Sequence, residues 1–429
     1  MQYGKPAEEK QMKAALIGAG EESLHTIQKA QELGVYVTAL DGNPEAEGLK
    51  AADEGLAIDI SDEKAVLDAL QDRKPDFLIT GPIGRYLTTA GAVNDALGLA
   101  GISRQAAEYC TDKYLFHKKL QEKKLRNCRC FLISAEAAPA QTGDLARDFS
   151  TLQYPAILKP RYGSGSRGIF FLNNPRELEH ALTCIFPENQ DTAAPAEDYV
   201  LEEAAPGVEY GVDACMDKDR YRMILLRKKL ITPPPARQAV GYLSISPQED
   251  ETQRLLWERA AAYLTETTAL LGLKDCLLHA DLMITENSIF AIELSARPSG
   301  HNLHNLFTPL ATGIDMAEQY IRSQCNMDYT YEPAKTEKLL IHYFNLEQCR
   351  IKTIPQASQL RLPQGITLKA WNCRITPGDY MQKVTTGYSL MGRGYFILQS
   401  APLRPSASET TETNLINAAD HILTQFETE

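Results

Sequence analysis

The sequence predicts a multidomain chain of the α/β and α+β classes, and three observations carry that prediction. At 429 residues and 47.6 kDa it is too long for one ordinary core, so several packed units are expected. From Lys13 onward, apolar strand-like runs alternate with helical stretches, the pattern of a parallel sheet covered by helices. From about Tyr331 the texture changes to short strands separated by Pro and Gly, which reads as an α+β unit. The expected division is a Rossmann-like N-terminal domain over 1–110, a central domain over 111–330 with a flap at about 155–205, and a separate C-terminal α+β cap over 331–429.

Composition narrows the function classes. Hydrophobic content is 44% and charged content 23%, and no stretch approaches the roughly 18 uninterrupted apolar residues of a membrane span. The opening MQYGKPAEEKQMK has no apolar run after its charges, so a secretion signal is not expected and a cytoplasmic location is. Nine cysteines, odd in number and irregularly spaced, read as free thiols; Cys128 and Cys130 have no second pair to complete a zinc site. A net charge of −12 argues against nucleic acid and points to small-molecule partners.

In chain order, KAALIGAG is a strand, a helix runs through Gln31, VYVTALD is a second strand, a second helix follows Ser61, and DFLITG is a third strand. The first turn, Gly18-Ala19-Gly20-Glu21-Glu22-Ser23, approximates a dinucleotide fingerprint with serine at the third glycine, and Asp41 ends the next strand where a ribose-binding acid would sit. The plain alternative is a tight strand-to-helix turn, and two glutamates beside a pyrophosphate argue for it. Thr111-Asp112 signal the N-cap of a helix KYLFHKKLQEKKLR. Lys113 in its first turn opposes the helix dipole, so it either faces solvent or is held for an anionic ligand; unaided, the solvent reading is the simpler.

An apolar strand, YPAILKP, then ends at Lys159 and runs into Gly163, Ser164, Gly165, Ser166, Arg167 and Gly168. By itself this is either a flexible connection or a flap whose amides close over phosphates; a lysine before the glycines does not match a P-loop. A helix near Pro175 to Ile185, a polar run from Pro187 to Asp198 and a strand from Tyr199 follow. After the turn at Pro206-Gly207, Val208, Tyr210, Val212 and Ala214 alternate with Glu209, Gly211 and Asp213, so Glu209 faces away from the core.

The segment HADLMITENSIFAIELSARPSG reads as a β-hairpin. His279, Asp281 and Met283 share one strand face; Glu293, Ser295 and Arg297 share one on the other, with Phe290, Ile292 and Leu294 opposite. A three-residue loop of Glu286, Asn287 and Ser288 would set Ile284 against Phe290 and Asp281 against Glu293. Like charges facing across strands imply a compensating cation, for which Mg²⁺ is suited; the plain alternative is a solvated face neutralised by Arg297. The tail offers strands LLIHYFNL, GITLKAW and RGYFILQ and a closing helix from Thr413.

Taken together, Asp112 to about Arg322 resembles the ATP-grasp superfamily, and within it the carboxylate–amine ligases, including amino-acid and dipeptide ligases. The resemblance rests on Asp112-Lys113, ILKP at Ile157 to Pro160, YGSGSRG, LEEAAPGVEYGVDA from Leu201 to Ala214, and Asp281 followed by Glu293-Leu-Ser-Ala-Arg297, in that order. It implies a Rossmann-like pre-ATP-grasp domain, a central ATP-grasp fold and a C-terminal cap. It further implies ATP and Mg²⁺, or Mn²⁺ in its place, with Lys113, Lys159 and the loop residues Gly163, Ser164, Gly165, Ser166 and Gly168 toward the nucleotide. Glu202, Glu203 and the backbone to Ala205 would form the adenine hinge, and Glu209 would hold the ribose. Asp281, Glu293 and Ser295 would hold the metal, with serine where the family usually has the better ligand asparagine.

Arg297 would stabilise the reacting carboxylate or acyl phosphate. Gly300 would meet the acceptor, as an Arg-x-x-Gly turn does in the family, and His301 is read as lining that site or as a loop bystander. His304 is read as lining it or as a bystander, and Ile231 to Arg237 as a pocket wall or a rigid connector. The implied activity is ATP-dependent amide or peptide bond formation through an acyl phosphate, on small carboxylates and amines such as amino acids, in a chain that is often a homodimer in the family. A biotin-carboxylase-like subunit and a catalytically weak nucleotide-binding module are the alternatives. The flap is expected to open and close around the nucleotide.

Overall fold

The computed structural model describes residues 10–135, 149, 151–163, 167–186, 197–233, 237–385, 387–401 and 408–429. Four sheets organise them. The first is parallel and four-stranded, in the order Glu54–Ala57, Tyr36–Asp41, Lys13–Ile17, Phe77–Thr80. Its central strands are continuous apolar runs because helices such as Leu24–Glu32 and Glu63–Gln71 take the surface around them. Gly18 at the first turn has φ +89°, and a Cβ there would stand 2.2 Å from Ile83 Cγ2, so the turn needs glycine. Asp41 accepts hydrogen bonds from Ala19 N–H and Asn43 N–H, each at 2.8 Å. Those contacts fit the plain tight turn rather than a ribose-binding acid.

The second sheet, antiparallel, orders Cys130–Ile133, Tyr199–Glu203, Ala156–Pro160 and Phe170–Leu172. Helix Pro175–Ile185 packs Leu178 and Leu182 onto Leu158, Leu172 and Leu201. Its start is a reciprocal cap: Asn174 Oδ1 accepts from Glu177 N–H at 3.1 Å, with proline at the next position.

The third sheet is the largest, eight antiparallel strands in the order Ile289–Ser295, Cys276–Ile284, Val208–Asp217, Arg220–Ile231, Ala239–Ile245, Leu339–Tyr343, Gly394–Ser400, Ile366–Cys373. Helix Glu251–Leu271 covers one face. Its Ala260, Leu264 and Leu271 share a core with Leu278, Ala280 and Leu282, which leaves His279 and Asp281 on the other side.

The segment expected as a separate cap thus contributes three strands to this same sheet. Without Leu339–Tyr343, strand Ala239–Ile245 would be an open edge, and the fully buried run LLIHY needs a partner on each side. The closing helix Ser408–Leu423 buries Leu415, Ala418, Ala419 and Ile422 against Leu340, Phe396 and Leu398. A small three-stranded sheet of Tyr380–Met381, Cys349–Thr353 and Glu427–Thr428 completes the tail. All nine cysteines are free, and among the described residues no helix is long and apolar enough to cross a membrane.

Candidate active site

A cleft of about 1040 Å³ lies where the three larger sheets meet. Its floor is the hairpin. Asp281 stands directly opposite Glu293, but not by the route expected from the sequence. Thr285 N–H donates to Ser288 O at 2.9 Å and Thr285 Oγ1 accepts from Ser288 N–H at 2.9 Å, so the turn holds four residues and pairs Ile284 with Ile289 and Met283 with Phe290. A bulge between Asp281/Glu293 and Leu282/Ala291 then restores the acidic pair. It also breaks the alternation, so that Ile292, expected on the opposite face, lines the cleft beside Glu293.

His279, Asp281 and Glu293 present ligand atoms all within 4.8 Å of one another. Asp281 Oδ1 and His279 Nδ1 are buried without a hydrogen-bond partner, and His279 Nε2 lies 3.5 Å from Asp281 Oδ1. Cis ligands of a cation bonded at roughly 2.1–2.2 Å stand about 3 Å apart, so this donor set fits a divalent metal. His279 was not among the ligands expected. Its signal was present in the strand alternation with Asp281. Ser295 pairs with His279 and lines a smaller adjoining recess with Glu293 and Arg297 instead of the cleft.

Lys229, on strand Arg220–Ile231, was also missed. Its Nζ lies 2.5 Å from Asp281 Oδ2 and 2.8 Å from Glu209 Oε1. Against burial, which would lower it, these two acids hold the Lys229 pKa well above its ordinary value. The compensating charge that the hairpin required is therefore supplied in part by the protein itself.

The roof comes from the flap sheet. Lys159, 4% exposed, pairs with Glu202 Oε1 at 2.7 Å. The other Glu202 oxygen is 3.0 Å from Arg126 Nη2 and 2.7 Å from His117 Nε2. Against burial, which would raise it, the Lys159 and Arg126 charges and the hydrogen bond from His117 hold the Glu202 carboxyl well below the usual range. Burial drives His117 the other way, to about 3, so its ring is neutral at pH 7. Lys113 donates to Gly163 O at 2.9 Å, and Asp112 fixes the start of its helix by accepting from Tyr114 N–H and Leu115 N–H. Lys113 is turned into the cleft, contrary to the simple solvent reading. Burial lowers its pKa, opposed by Glu293 and reinforced by Lys159.

The remaining expected residues divide. Gly163, Glu202, Ala205, Glu209, Arg297, Gly300 and His301 all line the cleft. Glu203 turns away to accept from Arg129 N–H and Gln153 N–H at 2.9 and 3.0 Å, while Ala204 and Ala205 take the cleft side. Gly168, at φ +66°, packs near Pro160 outside the cleft lining. Ser164, Gly165 and Ser166 lie outside the described residues, as do positions 234–236 of the proline run. Arg237 at the end of that run lines the cleft and stacks 5.2 Å over the Phe171 ring, which ties the central sheet to the flap. His304 is a buried structural residue: its Nδ1–H is bonded to Ser299 O, and burial lowers its pKa to about 4.

A parallel N-terminal sheet, an antiparallel flap bearing a lysine, and an acidic hairpin on a large antiparallel sheet make up the ATP-grasp layout. The ATP-grasp domain family matches residues 152–304, so this stretch of the chain is an ATP-grasp domain. It is similar to the formate-dependent phosphoribosylglycinamide formyltransferase of Wolinella succinogenes, 23% identical over 328 residues, covering 72% of this chain and 76% of that one. It is similar to dapdiamide A synthase of Enterobacter agglomerans, 22% identical over 395 residues, covering 86% and 87%. Its fold matches the crystal structure of the L-amino acid ligase from Bacillus licheniformis with a TM-score of 0.73 at 18% identity, over 98% of this chain and 99% of that one.

Proposed function

We propose that the protein is an ATP-dependent carboxylate–amine ligase that forms an amide or peptide bond with release of ADP and phosphate. The observation that carries this reading is the convergence in one cleft of Lys113 and Lys159, the His279, Asp281 and Glu293 cluster, and Arg297. The names of the similar proteins, a formyltransferase, a synthase and an amino acid ligase, support the same class.

A substrate carboxylate oxygen attacks the γ-phosphorus of ATP; the new O–P bond forms as the bond to the bridging oxygen breaks, giving an acyl phosphate and ADP. An amine then attacks the acyl carbon, loses a proton, and expels phosphate. Lys113 and Lys159 bind and orient the phosphate chain, Ala204 and Ala205 border the adenine, and Glu209 takes the ribose hydroxyls. Arg297 holds the carboxylate and offsets the charge that builds on the acyl phosphate. A divalent cation held by Asp281, Glu293 and His279 would neutralise phosphate oxygens. The flap sheet excludes water from the acyl phosphate. Positioning and charge neutralisation suffice, and no covalent nucleophile is required.

Mg²⁺ or Mn²⁺ as the metal, amino acids as substrates, a homodimer and a cytoplasmic setting belong to the same reading. The test is ADP release over a panel of amino acids, small carboxylates and amines. The parent should turn over with an acid–amine pair, and Arg297→Ala and Glu293→Ala should each lose about 100-fold or more. Parental turnover in both variants would remove the site assignment.

A further inference from the structure

We infer that Glu22, carried on the glycine turn of the N-terminal sheet, binds the ammonium group of the substrate whose carboxylate is activated at Arg297, so that this substrate is an α-amino acid. The inference rests on the ligase reading with its amino-acid substrates and adds the residue that recognises the amino group.

Three features of the turn aim Glu22 into the cleft. Ser23 is buried and donates to Gly18 O at 2.7 Å, which locks the turn. Glu21 is held outward by a bidentate pair with Arg374. Glu22 then crosses to the segment that follows the hairpin, where its Oε1 accepts from Asn302 N–H at 2.6 Å. Its second oxygen sits by Gly300: a Cβ on that residue would stand 3.1 Å from Glu22 Oε2, so glycine leaves this oxygen its room. Glu22, Gly300 and Arg297 all line the cleft.

The electrostatics point the same way. Burial raises the Glu22 pKa; the backbone bond from Asn302 and the nearby Arg297 charge only partly oppose it. A carboxylate in that state gains from a cation brought into hydrogen-bond reach. In an α-amino acid the ammonium nitrogen is about 2.5 Å from the carboxylate carbon, so one molecule can engage an acid and an arginine on adjoining walls. Pro82, Leu303 and Met391 supply apolar surface for its side chain.

The experiment measures ADP release with Mg²⁺ and ATP for the twenty standard L-amino acids, singly and in pairs, and for the matching acids that lack the amino group, each with an amine acceptor. The parent is expected to use at least one amino acid and to prefer it over its des-amino counterpart by about 100-fold in kcat/KM. Glu22→Gln keeps an oxygen for Asn302 N–H but loses the charge. It should raise KM for the amino acid about tenfold, leave kcat within about threefold, and leave KM for ATP and the thermal midpoint unmoved. Equal use of the des-amino acid by the parent overturns the inference, whatever the variant does. So does an unchanged amino-acid KM in Glu22→Gln. If des-amino acids support ADP release as well as amino acids do, the ligase reading stands and this inference falls. If no acid–amine pair releases ADP, the ligase reading itself falls and this inference falls with it.

Discussion

Lys229 sets its ammonium 2.5 Å from the Asp281 carboxylate, and the same nitrogen reaches Glu209 at 2.8 Å. One buried cation thereby joins the acid assigned to the metal with the acid assigned to the ribose. Removing it leaves two facing carboxylates, Asp281 and Glu293, with less compensation. Lys229→Met should cost about 3–5 kcal/mol of stability, the usual penalty for breaking a buried pair, and reduce ATP-dependent turnover by about 100-fold. Denaturant unfolding and initial rates measure the two effects. A loss of under about 1 kcal/mol would show that the pair carries no net weight.

Glu202 balances the Lys159 and Arg126 charges at 2% exposure and lies 2.7 Å from the neutral His117 ring. Glu202→Gln would leave Lys159 and Arg126 buried without their counter-ion. A destabilisation of about 3–5 kcal/mol is expected, together with weaker ATP binding because Lys159 loses its anchor. Calorimetric titration with ATP and urea unfolding check both; wild-type values in each would contradict the balance described.

Five histidines are held neutral by burial: His117 and His279 at about 3, and His301, His304 and His342 at about 4. In the unfolded chain they take up protons near pH 6.5. Between that value and their folded pKa the unfolded state binds more protons, so stability falls as pH falls. Each contributes a slope of up to about 1.4 kcal/mol per pH unit. The thermal midpoint should therefore drop steeply from pH 6.5 to pH 5. Glu202, depressed in the fold, adds its own loss only at lower pH, as the medium descends from the ordinary carboxylate range through its folded pKa. A midpoint unchanged between pH 7 and pH 5 would be incompatible with five buried neutral rings.

His279 within the metal-capable group predicts nitrogen ligation. Mn²⁺ added to the protein should show imidazole coupling in its electron spin-echo spectrum, and His279→Ala should weaken Mn²⁺ binding by about tenfold, roughly 1.4 kcal/mol. A spectrum without nitrogen coupling would confine the ligands to oxygen.

Gly207 has φ +121°, and a Cβ there would meet Ile284 O at 2.4 Å. Gly207→Ala should therefore separate the hinge from the hairpin turn, with about 2 kcal/mol or more lost in stability and a raised KM for ATP. Melting curves and ATP kinetics decide it, and parental behaviour in both would mean the contact relaxes freely.

The part of this arrangement that lies along single strands was legible in the sequence. Alternation placed Asp281 and Glu293 on the polar faces of their strands, although the three-residue loop expected to set them opposite each other is a four-residue turn corrected by a bulge. The capping signal at Asp112 located the helix of Lys113. The bulge at Ile292 was not legible, because an extra residue leaves no mark in a strand whose apolar alternation continues through it. Lys229 and Glu22 were missed for a different reason. Each acts on groups brought from another strand or another sheet, and a lysine in the run Arg227-Lys228-Lys229 or a glutamate after a glycine turn carries no local sign of that meeting. The tail's strands were found, but their destination was not: pairing partners are set by which edge is left open, a property of the assembled sheet.

That shared sheet has a practical corollary for anyone trimming the polypeptide. A fragment stopped near position 330 would strip Leu339–Tyr343 from its neighbour and bare the backbone amides and carbonyls of Ala239–Ile245 along a greasy border. Such a truncated product should clump by edge-to-edge stacking instead of behaving as a self-sufficient nucleotide-binding core.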